Sequence, residues 1–144
     1  RSIFDRWGSL DLWIHTAVHA APLSPAGHIG PKDLAKSIAV NIEATARLIG
    51  YVGPLLGRDG HAVFTDDPRG GAQFFGAYGA TKAAQIALAR SWQAETAQIG
   101  PKIHIVTPAP MPTATRARFH PGEDRTALHS PTDEAARLLS TFSL

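Results

Sequence analysis

Three short apolar runs, set apart by long stretches of helix-like sequence, constrain this chain more than any other feature. Leu10 to Val18 (LDLWIHTAV), His61 to Thr65 (HAVFT) and Ile103 to Thr107 (IHIVT) each follow a turn and read as strands. The first is nearly continuous in apolar residues, the pattern of a strand buried on both faces of a parallel sheet. Between the first and second, Leu34, Ile38, Ile42, Ala46, Ile49 and Val52 recur at helical spacing. Pro31 suits the first helical position and Asp33 its first turn, and the helix is predicted to end near Gly53-Pro54. Between the second and third, Tyr78 to Gln98 is dense in Ala, Leu and Ile, with no Pro and no Gly after Gly79. A second long helix is predicted there. Strands alternating with helices imply parallel pairing through crossovers, hence an α/β fold.

The remaining segments read as connections and a last helix. Arg1 to Trp7 resembles the tail of a helix running into a turn at Gly8, so the chain is read as beginning mid-fold. Ala20 to Gly30 and Asp66 to Gly71 are rich in turn-forming residues and are expected to be loops. From Thr113 the sequence is polar and basic, with a helix expected from Pro131 to Leu139, capped by Ser130 and carrying Asp133 and Glu134 in its first turn.

With 144 residues, 44% of them hydrophobic, the chain can bury one core of ordinary size. The formal charge is only +2. The basic residues neither cluster nor interleave with aromatics, which argues against a nucleic-acid partner. The absence of cysteine excludes disulfides and thiol catalysis and fits a cytoplasmic location. No apolar run approaches the roughly 20 residues that span a bilayer, so no membrane partner is expected.

The strongest chemical signal is Tyr78-Gly79-Ala80-Thr81-Lys82. A Tyr and a Lys four apart at a helix start project from one face. An ammonium beside a phenol stabilises the phenolate and lowers a pKa otherwise near 10, so such a pair can relay protons. The spacing alone is weak, and a surface Lys beside a packed Tyr is the bland reading. The pair nevertheless follows a buried strand by a short loop and opens an Ala-rich helix, while Asn41 lies inside the preceding helix.

In this arrangement the sequence resembles the short-chain dehydrogenase/reductase family. WGSLDLWIHTAV is similar to the family's fourth strand, AVNIEATARL to its Asn-bearing helix, GHAVFTDD to its fifth strand, AYGATKAAQIALARSWQAE to its active-site helix, and IHIVTPAP to its sixth strand and the turn after it. The resemblance implies a Rossmann-like three-layer α/β fold with a parallel sheet, incomplete at the amino-terminal side. Residues 1–144 would then form a single partial domain from the fourth strand onward. It implies an oxidoreductase using NAD or NADP to transfer hydride between the cofactor and a small-molecule alcohol or carbonyl, assembled as a homodimer or homotetramer. Tyr78 would be the acid/base, Lys82 would lower its pKa and bind the cofactor ribose, and Asn41 would hold a water connecting Lys82 to solvent. Thr16, Ala17, Pro108 and Ala109, with Tyr78 and Lys82, would face the cofactor.

The sequence also departs from the family's pattern. The family's Ser at the end of the fifth strand is replaced by Asp67 when the strand is aligned, or by Thr65 when residues are counted back from Tyr78. An ionised Asp67 donates no hydrogen bond, raises the Tyr78 pKa and repels a developing oxyanion; one lost donor costs about 3 to 4 kcal/mol of barrier. Reduction of simple ketones is therefore expected to be weak. Val18 and Ala109 stand where the family has glycines near the cofactor, and no glycine-rich phosphate-binding turn follows a strand anywhere in the chain. These departures keep open a second reading, a catalytically impaired homologue with a binding or structural role. His15 and His19 are four apart but lack carboxylate or Cys partners at ligand spacing, so no metal is expected. Arg116, Arg118 and Arg125 fall in the family's substrate-covering segment and would meet an anionic substrate or solvent. The stripe Ala77, Ala80, Ala84 and Leu88 reads as a packing face on the helix that pairs subunits in the family.

Overall fold

In the computed structural model of the protein, residues 2–142 are described. A short helix α1 (Ser2–Trp7) leads through a turn at Gly8 into β1 (Leu12–His15), and a loop with one 3-10 turn (Ala26–His28) follows. Helix α2 (Pro31–Ser37) runs through a π-helical turn (Ile38–Glu43) into α3 (Ala44–Leu56). Strand β2 (His61–Thr65), helix α4 (Gly76–Thr96) and strand β3 (Lys102–Val106) complete the alternation. A short α5 (Ala114–Phe119), a second 3-10 turn (Arg125–Ala127) and α6 (Pro131–Ser140) finish the chain. The three strands form one parallel sheet in the order β1-β2-β3, with His15 opposite Phe64 and Thr65 opposite Val106. No helix among the described residues is long and apolar enough to cross a membrane.

Helices α3 and α4 cover one face of the sheet. Leu56 from α3 and Ile86, Ala89 and Trp92 from α4 pack on Ala62, Phe64 and Ile103, with Trp13 and Ile105 at the margin. Phe64 is fully buried and meets Trp13 and Trp92 edge-on, the preferred aromatic geometry. Strand alternation sends His61 and Val63 to the opposite face. There the rings of His61 and His104 stack at 5.1 Å, and Phe142, just beyond α6, packs on His104 at 4.5 Å.

Four expectations are corrected. β1 is four residues long rather than nine, and it pairs only with β2, so Ile14 is 44% exposed instead of buried. The strand stops at His15 because that side chain turns into a buried polar cluster with Thr45. The helix expected to end near Gly53-Pro54 passes through Pro54, as α3, and ends at Leu56. Proline removes a single N–H, and burying Leu56 against the sheet outweighs that loss. The helix stops at Gly57, whose φ of +62° only glycine adopts freely, and at Gly60 a Cβ would collide with the Leu56 carbonyl. Ser130 sits at the α6 amino terminus without a side-chain capping bond; its backbone carbonyl accepts from Glu134 N–H at 3.0 Å instead. Lastly, the basic stretch after Thr113 contains α5, capped by the Thr113 side chain.

Candidate active site

Tyr78 and Lys82 lie one turn apart at the entrance of α4, beside the carboxyl ends of the strands, where a parallel sheet opens a crevice. Both are 5% exposed, and both line an open cavity of about 720 Å³. The Tyr78 ring is wedged between Phe119 at 4.9 Å and Phe75 at 6.2 Å, so its position is fixed by packing and its hydroxyl is left to find a polar partner.

That partner is Asp67. The Tyr78 hydroxyl donates to Asp67 Oδ2 at 2.9 Å. Arg69 grips the same carboxylate with both ends of its fork, Nε to Oδ1 at 2.9 Å and Nη2 to Oδ2 at 2.7 Å, and its backbone N–H adds a third bond to Oδ1. The guanidinium lies 5.0 Å over the Phe75 ring, and Nη1 donates to His120 Nε2 at 2.6 Å. A chain Tyr78, Asp67, Arg69, His120 thus crosses the cavity floor from α4 to the end of α5. Burial, then the charge and hydrogen bond of Asp67, push the Tyr78 phenol well above its usual value, against a smaller opposing pull from Arg69. Burial acts to raise the Asp67 pKa, but the bonds from Arg69 and Tyr78 outweigh it and leave the carboxyl below the ordinary range.

Lys82 turns away from this chain. Its Nζ donates to Gln85 Oε1 at 2.6 Å, one turn further along α4. Burial pushes the ammonium down to about 8, opposed by the charges of Asp66 and Asp67. Asn41, fully buried in the π-helical turn, accepts from His19 N–H at 2.7 Å and donates to the His19 carbonyl and to Thr81 Oγ1. The wide turn is the kind of local irregularity that re-aims a side chain. Here it lets Asn41 join the loop after β1 to α4.

Residues 1–138 match the family model described as enoyl-(acyl carrier protein) reductase. The chain belongs to the short-chain dehydrogenase/reductase family. Among solved structures, a short chain dehydrogenase from Salmonella enterica serovar Typhi is 27% identical and superposes with a TM-score of 0.90, over 96% of this chain and 58% of that one. A putative short chain dehydrogenase from Escherichia coli CFT073, solved in complex with NADPH, is 28% identical with a TM-score of 0.87 over 96% and 59% of the two chains. One from Shigella flexneri, complexed with NADP, is 28% identical with a TM-score of 0.84 over 92% and 56%. The chain thus spans less than two thirds of the length of each relative. No curated protein matches it.

Against the family's pattern, the fold gathers most of the residues singled out in the sequence. Thr16, Thr65, Asp67, Pro108 and Ala109 line the same cavity as Tyr78 and Lys82, and so does Val18. Ala17 does not line it; this residue contributes its backbone carbonyl, which accepts from Gln85 Nε2 at 3.3 Å. Asp67, not Thr65, meets the Tyr78 hydroxyl. The Ala109 N–H is taken by Glu134 Oε1 at 2.8 Å, so α6 holds the turn after β3. Arg116 borders the cavity paired with Glu123, Arg118 donates to the Ala20 carbonyl, and Arg125 lies in a 3-10 turn away from the cavity lining. His15 and His19 do not converge: His15 joins Thr45, and His19 joins Asn41 through its backbone. In the stripe, Ala77 is buried and Ala80 exposed.

Sequence reasoning missed Arg69, Gln85 and Glu134. Arg69 follows Asp67 by two positions in a turn, a spacing at which an acid and a base fold back on each other. Gln85 recurs one turn after Lys82 on the same helix face, which is the signal that would have found it. Glu134 is placed in the first turn of the last helix by sequence, as the structure has it, but its 2% exposure and its bond to the Ala109 N–H carry no signal there.

Proposed function

We propose that the protein is a nicotinamide-dependent oxidoreductase that transfers hydride to the carbonyl of a small molecule, with Tyr78 as proton donor. One observation carries this reading: Tyr78 and Lys82 share one cavity at the carboxyl ends of parallel strands. The relatives solved with NADPH and NADP support a cofactor of that class, either NADP or NAD.

The cavity lining suits the nicotinamide and ribose end of such a cofactor. The hydroxyls of Thr16, Thr65, Thr107 and Thr113 and the Lys82 ammonium are donors for ribose and carboxamide groups, and Pro108 and Ala109 offer an apolar wall. When bound, the cofactor supplies the hydride. Lys82 would hold the ribose, and Asn41 would keep the β1 loop and α4 in register. A phenol held above its ordinary pKa keeps its proton at neutral pH and gives it up reluctantly, so Tyr78 enters the reaction as a donor of low acidity. A substrate oxygen must displace Asp67 as acceptor of that proton, and no serine hydroxyl adds a second donor, so unactivated ketones react slowly. Homo-oligomerisation belongs to the same reading, supported by the exposed Ala80 and by Tyr51, 72% exposed on α3.

The test is consumption of NADPH or NADH by the full protein across a panel of carbonyl compounds. Tyr78→Phe is expected to cut turnover by about 10²- to 10⁴-fold; unchanged turnover would refute the reading.

A further inference from the structure

Gln85 is 1% exposed on the sheet-facing side of α4, a costly place for an amide unless every polar atom is satisfied. The hydrogens around it can be assigned without ambiguity. A lysine ammonium only donates, so the 2.6 Å contact with Lys82 Nζ fixes Gln85 Oε1 toward Lys82 and the amide nitrogen away from it. That nitrogen then donates to Thr45 Oγ1 at 3.0 Å and to the Ala17 carbonyl at 3.3 Å. Thr45 spends its own hydrogen on the Asn41 carbonyl at 2.9 Å. His15 Nε2, 3.0 Å from Thr45 Oγ1, must therefore be the donor in that contact. The 3.3 Å approach of Gln85 Nε2 to His15 Nε2 is then a contact between two N–H groups rather than a hydrogen bond. Thr45 ends with two bonds accepted and one donated, and Gln85 with all three of its groups in use.

Resting on the oxidoreductase reading above, we propose that Gln85 is the positioning residue for Lys82. Its amide oxygen sets the place of the ammonium in the cofactor-free protein, and its amide nitrogen, through Ala17, ties that ammonium to the loop carrying Thr16 and Val18 on the cavity wall. One side chain thereby couples the group that would meet the ribose to the wall that would face the nicotinamide. Asp66 and Asp67 face Lys82 from the loop after β2, His15 from β1, and Tyr78 lies one turn back on α4.

The test follows the ionisation of Lys82 directly, by the side-chain carbon resonance beside Nζ in the full protein labelled on lysine. The signal is assigned against Lys32, Lys36 and Lys102 with a Lys82→Met variant. Gln85→Leu removes the acceptor and is expected to lower the Lys82 midpoint by about one pH unit, tenfold in its ionisation constant. Gln85→Glu places a carboxylate against the ammonium and is expected to raise it. Should Gln85→Leu fail to fold, the Gln85→Glu shift alone decides. A Lys82 midpoint unmoved in the folded variants assigns Gln85 to packing only and overturns the proposal. Loss of stability without that shift has the same meaning. Because this readout needs no turnover, a protein inactive on every carbonyl offered would undo the oxidoreductase reading while the Lys82 titration still judges Gln85.

Discussion

The Tyr78 hydroxyl donates to Asp67 Oδ2, and the same carboxylate is held at both oxygens by Arg69. A bare aspartate beside a buried phenol would oppose every negative charge arriving in the cavity. Paired with a bidentate guanidinium, it becomes a neutral dipole that fixes the phenol as a donor. The chemistry of the pocket therefore depends on Arg69 as much as on Asp67.

The two tyrosines of this chain make the first prediction easy to read. Tyr51 is 72% exposed, whereas Tyr78 is buried against Asp67. Asp67→Ser removes both the charge and the strong acceptor, two of the causes that raise the Tyr78 pKa, and leaves burial and the smaller effect of the Asp66 charge. In a Tyr51→Phe background, the tyrosinate absorbance of this chain is expected to develop at lower pH once the Asp67→Ser change is added. The rate of alcohol oxidation is expected to rise in parallel at alkaline pH. Coincident titration curves would show that Asp67 has no hold on the phenol.

Removing Arg69 leaves Asp67 with an uncompensated charge on a side chain only 13% exposed. Arg69→Leu is expected to cost about 1 to 3 kcal/mol in urea unfolding, the range for an orphaned bond to a charged group. Asp67→Asn in the same protein should restore part of the loss, because the carboxylate whose charge is exposed by the first change is gone. A double-mutant cycle with no coupling would show that the two side chains do not support each other.

Much of this was legible beforehand, and what was not has physical causes. The strand and helix alternation follows from periodicity, which depends only on which faces are buried. β1 was read too long because apolar letters do not reveal how many neighbours a strand has, and one-sided pairing exposes Ile14. The helix end near Pro54 was misplaced because local breaking signals cannot weigh the burial of Leu56 two residues on. Tyr78 and Lys82 stand out by their spacing within one short segment, whereas Asn41 and Asp67 stand out only through the resemblance of their segments to the family's pattern. Arg69, Gln85 and Glu134 escaped because their partners are fixed by tertiary placement: a turn folding Arg69 back, a neighbouring strand end beneath Gln85, and the turn after β3 over Glu134.

His104 and His61 stack across the sheet face opposite the main core, with Nδ1 of His61 2.9 Å from Nε2 of His104. Burial, then the charges of His61 and Lys102, hold the His104 imidazole below 6.5. The unfolded chain thus takes up a proton before the folded chain does. Stability is fully present above pH 6.5 and is lost as pH falls from there toward the lowered folded value. Thermal unfolding between about pH 7 and about pH 5 should show a falling midpoint, and the slope should flatten in His104→Phe. An unchanged slope would assign the acid sensitivity to other groups.

The contact between Glu134 and the Ala109 N–H gives the last prediction. The Arg137 side chain and that N–H hold the Glu134 carboxyl down at about 2, so in the folded protein it stays ionised far below the unfolded value of 4.5. Its contribution to stability is full above 4.5 and declines as pH falls from there toward about 2, while the clamp itself stays ionised over that range. Glutamine in place of Glu134 keeps an oxygen acceptor for Ala109 but loses the charge; leucine loses both. The Ala109 amide is expected to exchange its hydrogen faster in Glu134→Leu than in Glu134→Gln, and slowest in the natural protein. Ala109 lies on the proposed nicotinamide wall, so the same order should appear in the Michaelis constant for cofactor. Turnover at saturation should change less, because a loosened wall weakens binding without touching the proton on Tyr78. Equal exchange rates in all three proteins would show that the turn after β3 holds its shape without α6.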